Sequence, residues 1–372
     1  MDTAGGTVRR SRATRRWIVA AVCLAAGSLA LAACGSSSSG SSGGSTSGKV
    51  GVSLILKTLS NPYFVSMEKD AKTEAAKDNV NLTVAAGKED GDTQTQISAI
   101  DNAISRGDKG ILITENGNAV NTELAKARQA GLYVIALDTV PTPPSTVDIT
   151  YGTDNEAAGK LIGQYAAAKL NGGKAVIAML DLFNNQVVSV DIQRDHGFLE
   201  GMGISPGGTS LNGKEAKTGK YTGGKGDYVI ACHQPTTGAI PGGKTAMENC
   251  LSANPNINVV YTINEPAADG AHQALQAAGK NNVMIVTIDG SCNYVNGLLK
   301  DGTIAADSAQ YPGKMASIGV KTLASIARGG AKPTLPAGKD FINTGTALIT
   351  ANPVPGIDSQ TPEKAASACW GS

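Results

Sequence analysis

From Val50 onward the chain alternates short, continuously apolar runs with longer stretches whose apolar residues recur every three or four positions. Short continuous runs read as buried strands, and the three-to-four spacing reads as helix. Val50–Leu56 is predicted as a strand and residues 62–77 as a helix, with Phe64, Met67, Ala71 and Ala75 along one face. Strands follow at 82–85, 110–113 and 133–137, separated by helices at 93–105 and 119–130, the second stopped by Gly131. Strands that are apolar throughout imply a parallel sheet covered on both faces, and the β-then-α rhythm implies an α/β fold.

Pro141, Pro143 and Pro144 interrupt this rhythm, and it restarts around Tyr151 to Asn155. The second series predicts helices at 155–170, 187–202, 243–253, 266–278, 293–300 and 313–328. Its strands fall at 175–180, 228–232, 259–263, 283–288, 303–306 and 347–350. The Gly/Lys-rich excursion from Ser205 to Gly226 is expected to be a surface loop or hairpin. The same motif twice, with a break between, predicts two similar α/β lobes and a cleft. Length agrees, since about 325 residues exceed the roughly 250–300 at which one core stops growing.

The first fifty residues follow a different pattern. Arg9, Arg10, Arg12, Arg15 and Arg16 precede a nearly apolar run from Trp17 to Leu31. That run is short of the about 20 apolar residues a spanning helix needs. A charged start, a short apolar core and small residues at its end read as a signal peptide over 1–33. Leu31-Ala32-Ala33-Cys34 resembles the lipobox of bacterial lipoproteins, which implies lipidation of Cys34. Residues 35–48 are only Gly, Ser and Thr, the composition of a flexible tether. The expected location is the outer face of the cytoplasmic membrane, with membrane contact through the lipid alone.

Charge and cysteines narrow the functional classes. The whole chain carries a formal charge of +1, but five arginines and Asp2 lie in residues 1–33, which leaves the remainder at −3. Nucleic acid would call for a basic face. Beyond Cys34 the cysteines are Cys232, Cys250, Cys292 and Cys369. Four in an oxidising compartment allow three pairings. Cys232–Cys250 and Cys292–Cys369 are favoured, the second pinning the C-terminal tail beside a strand end. His196, His233 and His272 lie far apart without metal-ligand spacing, so no metal site is expected. A P-loop and a G-x-S-x-G nucleophile elbow are absent from the sequence.

Polar residues gather where the predicted strands end. The first strand runs into Lys57 and Asn61; later strands end at Asp138, Asn264, Asp289 and Gln310. In open α/β sheets ligands bind outside the carboxyl ends of strands. Carboxylates accept, amides both donate and accept, and Arg194 supplies a fork of donors, a set that satisfies vicinal hydroxyls. Tyr63 and Phe64 follow Asn61-Pro62 and offer a ring to a sugar's C–H face. An Asp or Asn after a strand is often only a helix cap, so the joint pattern carries the reading.

Lys49–Phe64 (KVGVSLILKTLSNPYF) resembles the opening of the ribose/fructose-type periplasmic binding proteins. Leu137-Asp138-Thr139, Gly152-Thr153-Asp154-Asn155, Arg194-Asp195-His196-Gly197-Phe198, Tyr261 to Ala267, Ile288-Asp289-Gly290 and Gln310-Tyr311-Pro312 continue the match in order. The resemblance implies a type I periplasmic binding protein fold: two Rossmann-like three-layer lobes with parallel sheets, joined by a three-stranded hinge. It implies lobes of 48–153 plus 311–341 and 154–310 plus 342–372. It implies a monomeric sugar-binding component of an ABC importer, similar to the fructose-binding branch, delivering ligand to a membrane permease without cofactor or covalent chemistry.

The resemblance also assigns roles. Asn61 hydrogen-bonds at the rim, Tyr63 and Phe64 are the ring-stacking pair, and Asp138 and Asp289 hold hydroxyls. Arg194, Asn264 and Gln310 come from the second lobe and hinge. Ribose binders carry a small hydroxyl residue where Lys57 stands and an arginine where Thr139 stands. Those departures argue against ribose and leave a ketohexose, another pentose or a sugar alcohol open. The aromatic that ribose binders supply between Arg194 and Asn264 has no counterpart in residues 232–238, which leaves one wall unassigned. Two other readings compete: a binding protein feeding a sensor or taking up a furanosyl signal, and a secreted carbohydrate hydrolase using Asp138 and Asp289.

Overall fold

Every residue of β3 (Gly110–Ile113), β4 (Tyr133–Leu137) and β6 (Ala175–Asp181) is buried, because helices cover both faces of the sheets they belong to. The computed structural model describes residues 48–222 and 225–371. The expected signal segment, Cys34 and all but the last residue of the tether lie outside the described residues. Gly48–Ser372 forms one compact unit in its own right.

Within that unit the strands build two sheets. The first has the order β12-β5-β4-β3-β1-β2, all parallel, with β1 at Val50–Leu56, β2 at Val80–Ala86, β5 at Ile149–Gly152 and β12 at Ile342–Asn343. Helices α1 (Pro62–Lys77) and α9 (Pro312–Ala327) cover one face through Phe64, Met67, Met315 and Val320. Helices α2 (Thr93–Arg106) and α3 (Asn121–Gln129) cover the other through Ile100 and Leu124.

The second sheet has the order β13-β11-β10-β9-β6-β8-β7. Its added strands are β7 (Thr218–Tyr221), β8 (Gly226–Pro235), β9 (Val259–Thr262), β10 (Met284–Asp289), β11 (Ile304–Ala309) and β13 (Ala347–Ile349). The two edge strands, β7 and β13, are antiparallel to their neighbours and the rest are parallel. Helices α4 (Asn155–Leu170) and α5 (Ser189–Met202) pack on one face, and α6 (Ile240–Ala253) and α7 (Glu265–Ala277) on the other. The architecture is that of two three-layer α/β lobes. The chain passes between the sheets three times, after Gly152, after Ala309 and after Asn343.

Three details differ from the sequence reading. Residues 342–343 were expected in the second lobe, yet Ile342 pairs with Tyr151 at the edge of the first sheet, so the third crossing follows Asn343. The tail stays on the second lobe through the Ser291–Trp370 bridge and the Cys292–Cys369 disulfide, but the ring of Trp370 is buried in the core that contains Tyr63 and Phe64. The helix expected at 293–300 is the shorter α8 (Cys292–Asn296), ended at Gly297. The 205–226 excursion runs as irregular chain into the β7–β8 hairpin.

Helices α4 and α5 pack unusually close because glycines meet backbone. A methyl group at Gly159 or Gly163 would collide with the carbonyls of Arg194 or Phe198, and one at Gly197 or Gly201 with those of Glu156 or Lys160. Overpacking of this kind costs about 1–3 kcal/mol. Gly197→Ala is therefore expected to lower stability by about that amount in urea denaturation, with weaker ligand binding because α5 also carries Arg194.

Candidate ligand-binding site

The carboxyl ends of both sheets face a common cleft, and the nine residues singled out in the sequence line one cavity within it. Lys57, Asn61, Tyr63, Phe64 and Asp138 come from the first lobe; Arg194, Asn264 and Asp289 come from the second, and Gln310 from the crossing after β11. Asp90, Leu182, Val190 and Ile263 complete the lining. The cavity is small, about 30 Å³. The lobes are closed on each other: Ser189 Oγ donates across the cleft to the Val140 carbonyl at 2.7 Å. An added Cβ on Gly238 would come within 3.3 Å of Asp90 from the opposite lobe.

The two carboxylates are held by unlike sets of partners. Asp138 follows β4 in the left-handed region at φ 67°. Its Oδ1 accepts from the Tyr63 hydroxyl at 3.0 Å and its Oδ2 from Thr139 Oγ1 at 3.0 Å. Lys57, 3 % exposed, places its Nζ 4.0 Å from Asp138 Oδ2. Asp289 ends β10 at φ 152°, and its Oδ1 accepts from Gln310 Nε2 at 2.8 Å. Its backbone N–H is taken by Asp307 Oδ1 at 2.9 Å, and its carbonyl accepts from the Trp370 indole at 2.8 Å. Non-glycine residues at such φ persist only where their surroundings over-determine them, and they cluster at functional sites.

Arg194 lies between these carboxylates. Its Nη2 is 3.9 Å from Asp138 Oδ1 and its Nη1 is 3.7 Å from Asp289 Oδ1. Nε donates to Asn155 Oδ1 at 2.8 Å and Nη1 to the Ile263 carbonyl at 2.9 Å, which fixes the guanidinium plane. One lobe's arginine thus reaches the other lobe's aspartate. Gln310 adds an acceptor: its Oε1 is buried and without a hydrogen-bond partner. A buried acceptor left unpaired costs about 1–3 kcal/mol, so a ligand hydroxyl donating there gains more than at a solvated amide.

Other residues carry two roles or lesser ones. Asn61 and Asn264 line the cavity and are also helix caps, with Oδ1 accepting from the Tyr63 and Ala267 N–H groups at 2.9 and 3.0 Å. Asn264 Nδ2 donates to the Gly238 carbonyl at 3.0 Å, so little of its amide remains for a ligand. The rings of Tyr63 and Phe64 are perpendicular, 88° with centroids 5.3 Å apart, so they offer one face and one edge rather than two stacked faces. Trp370 packs edge to face against Tyr63, with ring centroids 5.4 Å apart.

Leu182, Val190 and Ile263 supply apolar lining of the cavity. The sequence reading passed over these residues because nothing distinguishes an apolar lining residue from core. Asp90 was missed too, although the strand-end rule applied to β2 leads straight into its loop. Among the described residues, disulfides join Cys232 to Cys250 and Cys292 to Cys369.

Burial shifts several carboxyls. Burial pushes Asp289 up to about 8, with Arg194 opposing and Asp307 and Asp138 reinforcing. Burial raises Asp90 to about 6 and Glu115 to about 7, against the pull of Lys57. Groups with raised values hold protons more tightly folded than unfolded. Unfolding then releases protons, so the stability lost to these groups accumulates as pH rises from about 4 toward 8. The melting temperature of the ligand-free protein is expected to fall by several degrees between pH 5 and pH 8. Asp289→Asn flattens the upper part of that decline; a profile identical to the parent's would show that Asp289 is not its source.

The chain matches the family model described as "Periplasmic binding protein domain" over residues 52–331. This protein belongs to that family. It is 29% identical over 279 residues to the ribose import binding protein of Escherichia coli, covering 75% of this chain and 85% of that one. It is 25% identical over 306 residues to the D-allose-binding periplasmic protein of the same organism, covering 80% and 91%. Among solved structures, the D-allose-bound solute-binding protein of an Actinobacillus succinogenes ABC transporter superposes with a TM-score of 0.67. That match has 23% identity and covers 81% of this chain and 98% of that one, which establishes the shared fold. No helix of the described residues is long and apolar enough to cross a membrane.

Proposed function

We propose that this periplasmic binding protein captures a monosaccharide or polyol between its lobes and presents the closed form to an ABC permease. The observation that carries the reading is Arg194, which sits between Asp138 of one lobe and Asp289 of the other at 3.9 and 3.7 Å. Bound hydroxyls would complete the coordination of both carboxylates and of Gln310 Oε1. Contacts between the lobes such as Ser189 Oγ to the Val140 carbonyl cover the cavity, so the lobes are expected to part for entry. Closure is favoured by ligand only through contacts stronger in the closed form. The second-lobe and hinge groups Arg194, Asp289 and Gln310 supply those contacts.

The named relatives bind ribose and D-allose, and aldoses belong in the test panel. Lys57 and Thr139 favour a ligand other than ribose: Thr139 donates to Asp138, and Lys57 presents a buried ammonium. A ketohexose, another pentose or a sugar alcohol fits that difference. Cys34 as a lipid anchor with the Gly/Ser tether would keep the protein beside its permease.

Trp370 is the one tryptophan of the described residues and contacts both Tyr63 and Asp289. Its emission should change on addition of the cognate sugar to the Gly48–Ser372 unit. Unchanged disaccharide after prolonged incubation is expected alongside it. Cleavage would replace the transport reading with a hydrolase.

A further inference from the structure

Behind the sugar cavity, β6, α5 and β8 bring together residues that sequence spacing kept apart. Asp181 ends β6, Asp195 lies on α5 one residue after Arg194, and His233 is on β8. The nearest ligand atoms of the three all lie within 4.8 Å of one another. His233 Nδ1 is 2.7 Å from Asp181 Oδ2 and 3.9 Å from Asp195 Oδ2.

Asp195 is fully buried, and neither of its oxygens receives a hydrogen bond from an N–H or hydroxyl donor; its polar neighbours are the Asp181 carboxylate, close enough to share a proton with it, and His233 at 3.9 Å. Asp181 Oδ1 and the Tyr261 hydroxyl beside the cluster are buried and unpartnered as well. Asp191, four residues before Asp195, spends its carboxylate on the N–H groups of Leu182 and Phe183 at 2.8 and 3.1 Å. A buried carboxylate without donors beside a second one is costly unless a cation compensates it.

We propose that Asp181, Asp195 and His233 bind one divalent transition-metal ion of the zinc type, at a site separate from the sugar cavity. One imidazole and two carboxylates form a zinc-compatible set, with metal–ligand bonds of about 2.0–2.2 Å. Tetrahedral bonds of that length put ligand atoms about 3.3–3.6 Å apart, so on binding His233 Nδ1 and Asp181 Oδ2, hydrogen-bonded at 2.7 Å, would separate by roughly 0.6–0.9 Å and Asp195 Oδ2, at 3.9 Å, would move in by roughly 0.3–0.6 Å. His233 Nε2 lies 3.1 Å from Glu215 Oε1, the arrangement by which a carboxylate orients a metal-bound imidazole.

The ion would replace the proton that His233 Nδ1 shares with Asp181 and would offset the excess of buried carboxylates. Free thiols do not compete, because Cys232, Cys250, Cys292 and Cys369 are paired. Leu182 and Arg194, the neighbours of Asp181 and Asp195, line the cavity. Metal binding would therefore stiffen the wall that holds the arginine without touching the sugar.

The test is calorimetry and thermal melting of tag-free, chelator-stripped Gly48–Ser372 unit with zinc chloride, and with magnesium and calcium as comparators. One equivalent of zinc is expected to bind at micromolar affinity or tighter, raise the melting temperature by several degrees and outcompete both comparators. Asp195→Asn and His233→Gln should each lose that shift. Glu215→Gln should weaken binding about 10- to 100-fold. His272→Gln, remote from the cluster, should change nothing. Absence of zinc uptake, or uptake equal in the parent and in His233→Gln and Asp195→Asn, would overturn the proposal. So would a parent that ignores zinc while Asp195→Asn melts higher in chelator, which would mark a proton-sharing carboxyl pair.

Discussion

Asp289→Ala is expected to weaken sugar binding at least 100-fold while leaving the circular dichroism spectrum unchanged. The carboxylate is 3 % exposed and accepts from Gln310, and Arg194 Nη1 stands 3.7 Å away. A hydrogen bond contributes about 0.5–1.5 kcal/mol, rising to about 1.5–3 where one partner is charged, and every 1.4 kcal/mol is about tenfold in affinity. Losing two such bonds to ligand hydroxyls accounts for the 100-fold figure. Leaving Arg194 without its nearer carboxylate adds a penalty of its own. Asp289→Asn keeps the shape and should fall between. Calorimetry gives the number, and an affinity within threefold of the parent would remove Asp289 from the site.

The second large effect concerns the C-terminal tail. The Cys292–Cys369 disulfide spans 77 residues of sequence, and closing a loop of that size stabilises by about 4 kcal/mol in the chain-entropy model. It also seats Trp370, whose indole donates to the Asp289 carbonyl and whose ring packs at 5.4 Å on Tyr63. Replacing both cysteines by serine should lower the melting temperature by about 6 °C. It should also weaken sugar binding about tenfold, because the backbone of Asp289 and the ring of Tyr63 lose a common support. Replacing Cys232 and Cys250, only 18 residues apart, should lower stability less and leave sugar affinity unchanged. Equal effects of the two pairs on affinity would mean that the tail does not support the site.

Much of the cleft was legible because strands covered on both faces are uniformly apolar. The residue at which such a run turns polar then marks the carboxyl end of the sheet. Lys57, Asp138, Asn264, Asp289 and Gln310 were found in that way, and the structure gathers them around one cavity. The same rule could not separate lining from cap: Asn264 does both, and its amide is largely used within the chain. Leu182, Val190 and Ile263 carry no polar signal.

Features that depend on contacts distant in sequence stayed hidden. A two-residue strand such as β12 has no periodicity to read, and its place is set by the edge of β5. Trp370 reaches Tyr63 across more than 300 residues of sequence, with only the neighbouring Cys369 as a hint. The Asp181, Asp195 and His233 cluster has one member on each of three elements, so no spacing rule for metal ligands applies to it.

Capture of a hydroxylated ligand by closure of two lobes is read out by titration calorimetry of the Gly48–Ser372 unit against a panel of aldoses, ketoses and polyols, with small-angle scattering of the free and saturated protein. At least one panel member is predicted to bind with one-to-one stoichiometry at micromolar affinity or tighter, and to lock the protein in the compact form. No binding by any member of the panel would contradict the account.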